Sequence, residues 1–400
     1  MPITSFDPNR FIETQTNQIQ RILRREKAII ACSGGVDSTT CAVLTHKAIG
    51  DNLLCIFIDT SFMRLGEPER VYQSFSSPPL CLPVKLIKAK NQFMSALNGL
   101  KDAEEKRKAF RSTFYNVLSE TAKQEGCQYL VQGTILPDVL ETITGIKTQH
   151  NVLEQMNIDT KKEYGFKVVE PLLSLYKYQV REVARALGLP ELMSERQPFP
   201  GPGLSVRVVG RIIPEKLEVE KNATEIVETF LEPVQPKQYF AATFDSITMP
   251  YSKEAKIRGA LRELVKKSLQ IDVNRLETKA TGIREGRRLY GSVVLLGIRG
   301  SNGSCSNIPH RTLNNIQEMV TSQDEEVARV LLCLTDKPRK GLWVVAVRAI
   351  ESKDFVKATV TKVPWEVLKK IEEKIISSCP TVGAVFFDIT PKPPSSIEFE

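Results

Sequence analysis

The sequence predicts an α/β protein in two parts: a parallel sheet with helices on both faces over residues 1–210, then an α+β domain over 211–400. Three observations predict it. Short apolar runs of strand type alternate with helical stretches in the first half, the texture shifts past Gly210, and a basic turn followed by a β-branched run occurs twice in the second half.

In chain order, Phe11, Ile12, Ile19, Ile22 and Leu23 recur at loosely helical spacing and predict an amphipathic helix over 9–25. The period then changes. "KAIIAC" (27–32), "LLCIFID" (53–59), "PVKLI" (83–87), "QYLVQG" (128–133) and "FKVVEP" (166–171) read as strands, separated by helical stretches such as 101–125 and 177–187. Past Gly210, the stretch 214–275 is rich in Lys and Glu with a helical pattern, and predicts surface helices. "GRRLYGSVVLLGIR" (286–299) resembles "PRKGLWVVAVRAIES" (338–352), which predicts two related strand-and-helix units, although a chance match accounts for the pair as well.

Composition narrows the class. Lys and Arg exceed Asp and Glu by 55 to 47, a surplus of +8 without a block of like charges, which suits anionic small molecules as well as nucleic acid. The 8 cysteines include no Cys-x-x-Cys pair, so neither a zinc ribbon nor a redox dithiol is expected, and reduced thiols are the simpler reading. No signal-like segment opens the chain, and no apolar run approaches the ~20 residues that span a bilayer. A soluble cytoplasmic protein with no membrane role is expected.

The densest chemistry lies in "IIACSGGVDSTTCAVL" (29–44). A strand ending at Cys32, a turn with Gly34 and Gly35, and a helix starting near Asp37 put free backbone amides at a helix N-terminus, where anions bind. Glycine permits close backbone approach, and Ser33, Ser38 and Thr39 add hydroxyl donors. No Walker A pattern is present, and a capped helix behind a glycine turn accounts for S-G-G alone. Asp138 and Glu141 stand one helical turn apart, and with Asp37 they suit Mg²⁺ against phosphates; an acidic helix start explains their spacing too. "QPFPGPGL" (197–204) is a stiff connector by composition.

The longer string S-G-G-V-D-S-T after a strand resembles the pyrophosphate loop of ATP pyrophosphatases, which cleave ATP between its α and β phosphates. With it, "FIDTSFMRLGEPERV" (57–71), "EEKRKAF" (104–110), "QGTILPDVLET" (132–142), "IKTQHNV" (146–152), "ERQPFPGPGLSVRVVG" (195–210) and "VFFDITPKPPSSIEFE" (385–400) resemble the GMP synthetases, in the same order and over nearly the whole chain. The proline-rich loop and the C-terminal string are the most specific of these.

The resemblance implies an adenine nucleotide alpha hydrolase-like fold followed by a dimerisation domain. It implies ATP binding by Ser33, Gly34, Gly35, Val36, Asp37, Ser38 and Asp59, and Mg²⁺ on Asp37, Asp138 and Glu141. Lys147 and His150 would descend on the ATP phosphates and, with Asp37, serve catalysis. Xanthosine monophosphate (XMP) would meet Arg107, Pro200, Gly201, Pro202, Gly203, Arg288, Lys392, Ile397 and Glu398. The implied reaction moves AMP onto the C2 oxygen of XMP, after which ammonia displaces AMP to give GMP.

Ammonia comes in that family from a class I glutaminase, whose G-x-C-x-G elbow is absent here, so a separate glutaminase subunit is expected, together with a homodimer through the C-terminal domain. No nucleic-acid partner is expected: a tRNA-thiolating enzyme would show paired catalytic cysteines. A nucleotide-binding regulator without catalysis stays as the alternative of a different class. Three positions depart from the family pattern: Gln149 for a second histidine, Ser61 for a glycine, and Phe399 for a tryptophan.

Overall fold

The structure is a computed structural model that describes residues 6–143, 159–190, 199–352 and 357–400, without the side chains of 141–143. Lys147, Gln149 and His150, and the side chain of Glu141, lie outside the described residues. The chain divides into two compact units, Met1–Ala96 with Ala109–Gly201, and Leu97–Lys108 with Pro202–Glu400. Residues 97–108 and 202–210, placed with the first domain on the sequence, group with the second unit, where Gly99 N donates to Ile212 O and Ile212 N to Leu100 O.

The first unit is built on β1 (Ala28–Ala31), β2 (Leu53–Asp59), β3 (Val84–Lys88), β4 (Tyr129–Val131) and β5 (Lys167–Val169). Their order is β3-β2-β1-β4-β5 and every neighbouring pair is parallel, as the alternation of apolar runs with helices predicts. The first three residues of β1 are at most 1% exposed, which explains why it reads as a continuous apolar run. Helices α1 (Pro8–Leu23), α2 (Val36–Ile49), α3 (Glu67–Ser76), α4 (Lys90–Leu97), α5 (Ala103–Glu125), α6 (Leu136–Ile143), α7 (Thr160–Tyr164) and α8 (Lys177–Ala186) follow the same chain order. Asp7 caps α1 by accepting from Asn9 N and Arg10 N, and the helix buries Ile12, Ile19 and Leu23.

The order of this sheet reverses at β1 and β4. Chain leaving the ends of two such strands departs in opposite directions and leaves a crevice, the place where open α/β sheets bind ligands. The glycine loop of residues 32–35 leaves β1 there.

The second unit holds α9 (Pro214–Leu231), β6 (Gln238–Asp245), β7 (Thr248–Met249), α10 (Glu254–Leu264), β8 (Gln270–Leu276), β9 (Ala280–Arg284), β10 (Arg287–Arg299), α11 (His310–Gln323), β11 (Val327–Cys333), β12 (Trp343–Glu351), β13 (Thr359–Val360), α12 (Trp365–Ser378) and β14 (Val382–Asp388). The two similar segments open two β-α-β units. β10-α11-β11 and β12-α12-β14 each return parallel, and each pair carries a register shift at its first residues, Ser292/Val293 and Trp343/Val344. β11 meets β14 antiparallel in the middle, while β8 and β6 lie antiparallel on the outer sides of β10 and β12. α11 follows Pro309 and buries Leu313, Ile316 and Val320; α12 follows Pro364 and buries Leu368, Ile371 and Ile375 at the same spacing.

The expectation of surface helices over 214–275 is corrected: the stretch is α9, β6, β7, α10 and most of β8. Charged residues misled the reading because some are interior. On α9, Lys216 and Glu220 are fully buried; Lys216 donates to Val209 O and Asp245 Oδ1, and Glu220 accepts from the hydroxyls of Thr224 and Thr243.

Burial pushes the Glu220 carboxyl up to about 8 from its ordinary 4.5. The folded chain therefore holds a proton that the unfolded chain releases near pH 4.5, so this group's contribution to stability falls as pH rises from about 4.5 to about 8. Glu220→Gln is expected to raise the melting temperature at pH 9 relative to the parent, with the gap closing toward pH 5; calorimetry at both pH values checks it.

Candidate active site

Several hydroxyls predicted for phosphate are spent on the loop itself. Ser33 N donates to Ser38 Oγ at 3.2 Å, Gly35 N to Ser33 Oγ at 3.3 Å, and Ser38 Oγ and Thr39 Oγ1 both donate to Gly35 O. They fix the turn's shape. Gly34 has φ +77°, which glycine accepts without strain, and among the described residues no side chain caps α2 at its N-cap, Gly35. Gly133, just past β4, packs on the junction: a Cβ there would lie 3.0 Å from Asp37 C and O and 3.1 Å from Ser38 N. Val36 is buried beneath the turn.

Asp37 stands in the first turn of α2. Its Oδ2 lies 2.5 Å from Lys177 Nζ at the start of α8, and its Oδ1 is buried with no hydrogen-bond partner among the described residues. A buried carboxylate oxygen without a donor is costly unless a ligand or cation completes it. Asp138, in the first turn of α6, accepts from Ile135 N through Oδ2 at 3.1 Å. Among the described residues no three His, Cys, Asp or Glu side chains cluster to hold a metal ion, and Glu141 is outside that comparison.

Asp59 ends β2 and accepts from Ser61 N through Oδ1 at 2.9 Å. Ser61 has φ +66°, the left-handed region that favours glycine, so the backbone at this position suits the glycine that the resemblance led us to expect. Ser61→Gly is expected to stabilise the chain by about 0.5–1 kcal/mol, read by urea denaturation. The loop around Pro200 and Gly201 is held through Phe199, whose ring lies 4.2 Å from the Arg64 guanidinium carbon; Arg64 is itself buried beside Glu67.

The second unit gathers most of the residues assigned to XMP. Arg107 NH1 and Arg288 NH1 both reach Glu104 Oε1, at 2.5 and 2.6 Å. Pro202 and Gly203 are buried at the start of a short 3-10 turn, with Ser205 Oγ donating to Pro202 O. The C-terminal string is anchored rather than frayed. Arg207, fully buried and 3.9 Å from the centre of the Phe240 ring, donates from Nε and NH2 to both Glu398 oxygens at 3.0 Å. Glu398 thus meets an arginine, a partner that no motif assigned. Ile397 packs against the Phe240, Phe244 and Phe399 cluster, and Lys392 pairs its backbone with Ala358. Phe399 is fully buried, edge-on to Phe240 and Phe244, and fills its site without an indole.

Beneath this string lie groups that sequence reasoning missed. Arg329 and Arg348 share Asp388 Oδ2, at 2.8 and 2.6 Å, and all three side chains are fully buried. Arg329 also donates to Glu398 O and Ser396 Oγ, Arg348 to Ser395 Oγ and Ser396 O. Burial, with Arg348 close by, pushes Arg329 down to about 9. Glu400 accepts from Lys106 Nζ, Gly210 N and Tyr290 OH; burial lowers Lys106 and raises Glu400, while their attraction opposes both shifts. An arginine interior to an otherwise apolar strand run, as at 329 and 348, was the available signal. Lys177 and Gly133 had none.

A glycine loop at the switch point of a parallel sheet, with an acidic first turn behind it, defines a PP-loop enzyme, and the PP-loop domain family matches residues 8–190. The GMP synthase C terminal domain family matches 339–399. The synthetase component of glutamine-hydrolyzing GMP synthase from Saccharolobus solfataricus is 42% identical over 396 residues, 99% of this chain and 100% of its own. Its namesakes from Sulfurisphaera tokodaii and Methanopyrus kandleri are 42% and 40% identical, again over 99% of this chain and 100% of theirs. The chain belongs to this family of GMP synthase synthetase subunits. NMN synthetase from Francisella tularensis, a solved structure, shares 17% identity at TM-score 0.39 over 50% of this chain and 78% of its own, too distant to argue from. No helix among the described residues is long and apolar enough to cross a membrane.

Proposed function

We propose that the chain adenylates XMP with ATP, releasing pyrophosphate, and then aminates C2 with ammonia to give GMP and AMP. The observation that carries the ATP half is Asp37, a carboxylate in the first turn of a helix behind a glycine loop, with one oxygen paired to Lys177 and the other buried without a partner among the described residues. The loop amides and the α2 N-terminus receive the pyrophosphate portion of ATP, and Asp59 lies at the end of the adjoining strand. Lys177 adds a cation beside Asp37 as negative charge develops on the departing pyrophosphate.

Mg²⁺ fits this site because the orphaned Asp37 oxygen is the donor type it prefers, with phosphates and water supplying the rest; Asp138 and Glu141 are the further candidate ligands. When bound it would neutralise phosphate charge and favour pyrophosphate release. Lys147 and His150 are assigned to the same charge stabilisation by resemblance.

Of the residues given to XMP, we assign Arg107 and Arg288, whose guanidiniums share one carboxylate oxygen, to its phosphate together with Lys392, and Ile397 and Glu398 with Pro200, Gly201, Pro202 and Gly203 to the rest of the nucleotide. A xanthine C2 oxygen is a poor leaving group until AMP is attached to it. Ammonia, mostly protonated at neutral pH and then unable to attack, comes from a separate class I glutaminase subunit. The second unit, with its paired β-α-β halves, serves as the homodimer contact, and the enzyme works in the cytoplasm.

A turnover assay with ATP, Mg²⁺, XMP and ammonium salt tests the reading. Equal amounts of GMP, AMP and pyrophosphate support it, whereas nucleotide binding without products makes the chain a regulator.

A further inference from the structure

Glu104 stands at an unexpected place. It lies in the first turn of α5, yet that turn is already capped by Asp102, whose Oδ1 accepts from the amides of Glu104 and Glu105. Its carboxylate instead turns to two arginines from separate elements, Arg107 on α5 and Arg288 at the start of β10, and one oxygen accepts from both. Glu104 is 65% exposed and Arg288 51%, while Arg107 is 21%, so the carboxylate and its contact with Arg288 are open to solvent, and such ion pairs are weak and readily exchanged.

The two guanidiniums carry one charge more than the carboxylate cancels. Partial burial and the like charge of Arg107 lower the proton affinity of Arg288, while the Glu104 carboxylate opposes the shift. A phosphate monoester carries about −1.5 to −2 at neutral pH and three acceptor oxygens, so it satisfies two guanidiniums better than one carboxylate oxygen does.

We propose that Glu104 is an internal competitor for the phosphate of XMP: its carboxylate occupies the Arg107–Arg288 pair until a phosphate monoester displaces it. This rests on the assignment of those arginines to the XMP phosphate. The consequence is selective and two-sided. A nucleoside without phosphate leaves the bridge in place, a monophosphate must break it, and its return assists departure of the product, which bears the same phosphate.

Titration calorimetry of the full chain with XMP and with xanthosine, for the parent, Glu104→Gln, Arg107→Ala and Arg288→Ala, tests it. Glu104→Gln is expected to bind XMP roughly two- to ten-fold more tightly, through the loss of two competing contacts, with xanthosine unchanged. Unchanged or weaker XMP binding in Glu104→Gln overturns the proposal and makes Glu104 a residue that orients the arginines. If the arginine variants bind XMP like the parent, the phosphate assignment fails and the proposal with it. A parent that binds no XMP instead contradicts the functional reading itself.

Discussion

Asp37→Ala is expected to lower pyrophosphate release by about two to three orders of magnitude while leaving the fold intact. The side chain is 27% exposed in the α2 first turn and, among the described residues, pairs with Lys177, so its loss removes no apolar core contact. It removes the carboxylate whose buried oxygen has no partner among the described residues, and it leaves Lys177 without its counter-charge at the phosphate loop. The rate of pyrophosphate formation at saturating ATP checks the first part, and an unchanged melting temperature checks the second. A variant that turns over within a few-fold of the parent would show that Asp37 is a helix-start acid and nothing more.

Asp388→Asn carries the largest expected cost in stability. The substitution keeps the volume but strips the one charge that Arg329 and Arg348 share with their side chains fully buried. Breaking a buried pair by removing one partner typically costs about 3–5 kcal/mol, because the remaining charge is left uncompensated, and here two cations remain. Because the same two arginines hold Ser395, Ser396 and the Glu398 carbonyl, the C-terminal string should loosen before the sheet does. Guanidinium denaturation gives the global loss. The KM for XMP, rising while that for ATP stays, reports the string.

What the sequence made legible follows from which interactions are local. The alternation of strand and helix, the glycine turn at Gly34 and the capped start of α1 depend on neighbours within a few residues, and all are readable as periods and caps. Strand order is not local: nothing in "LLCIFID" or "QYLVQG" says that β1 lies between them, although that position is what sets the loop at the switch point. α9 was half readable, because its helical period survives while its buried Lys216 and Glu220 look like surface residues until Asp245, Thr224 and Thr243 are placed beside them.

The same reasoning explains the site. Asp37, Arg107, Arg288 and the C-terminal string stand in motifs and were named from them, whereas Lys177 meets Asp37 only through packing of α8. Glu398 and Glu400, two positions apart, engage different cations, Arg207 and Lys106, which no spacing rule could have separated. Ser61 runs the other way: the departure was visible in the sequence, and only the backbone angle explains it.

The central claim, that AMP is placed on the C2 oxygen of XMP before ammonia attacks, has a direct test. XMP labelled with oxygen-18 at C2 is turned over with ATP, Mg²⁺ and ammonium, and the products are weighed by mass spectrometry. The account predicts that the label leaves in the phosphate of AMP and is absent from pyrophosphate and from GMP. Label found in water, or AMP formed without it, would contradict an adenylated intermediate.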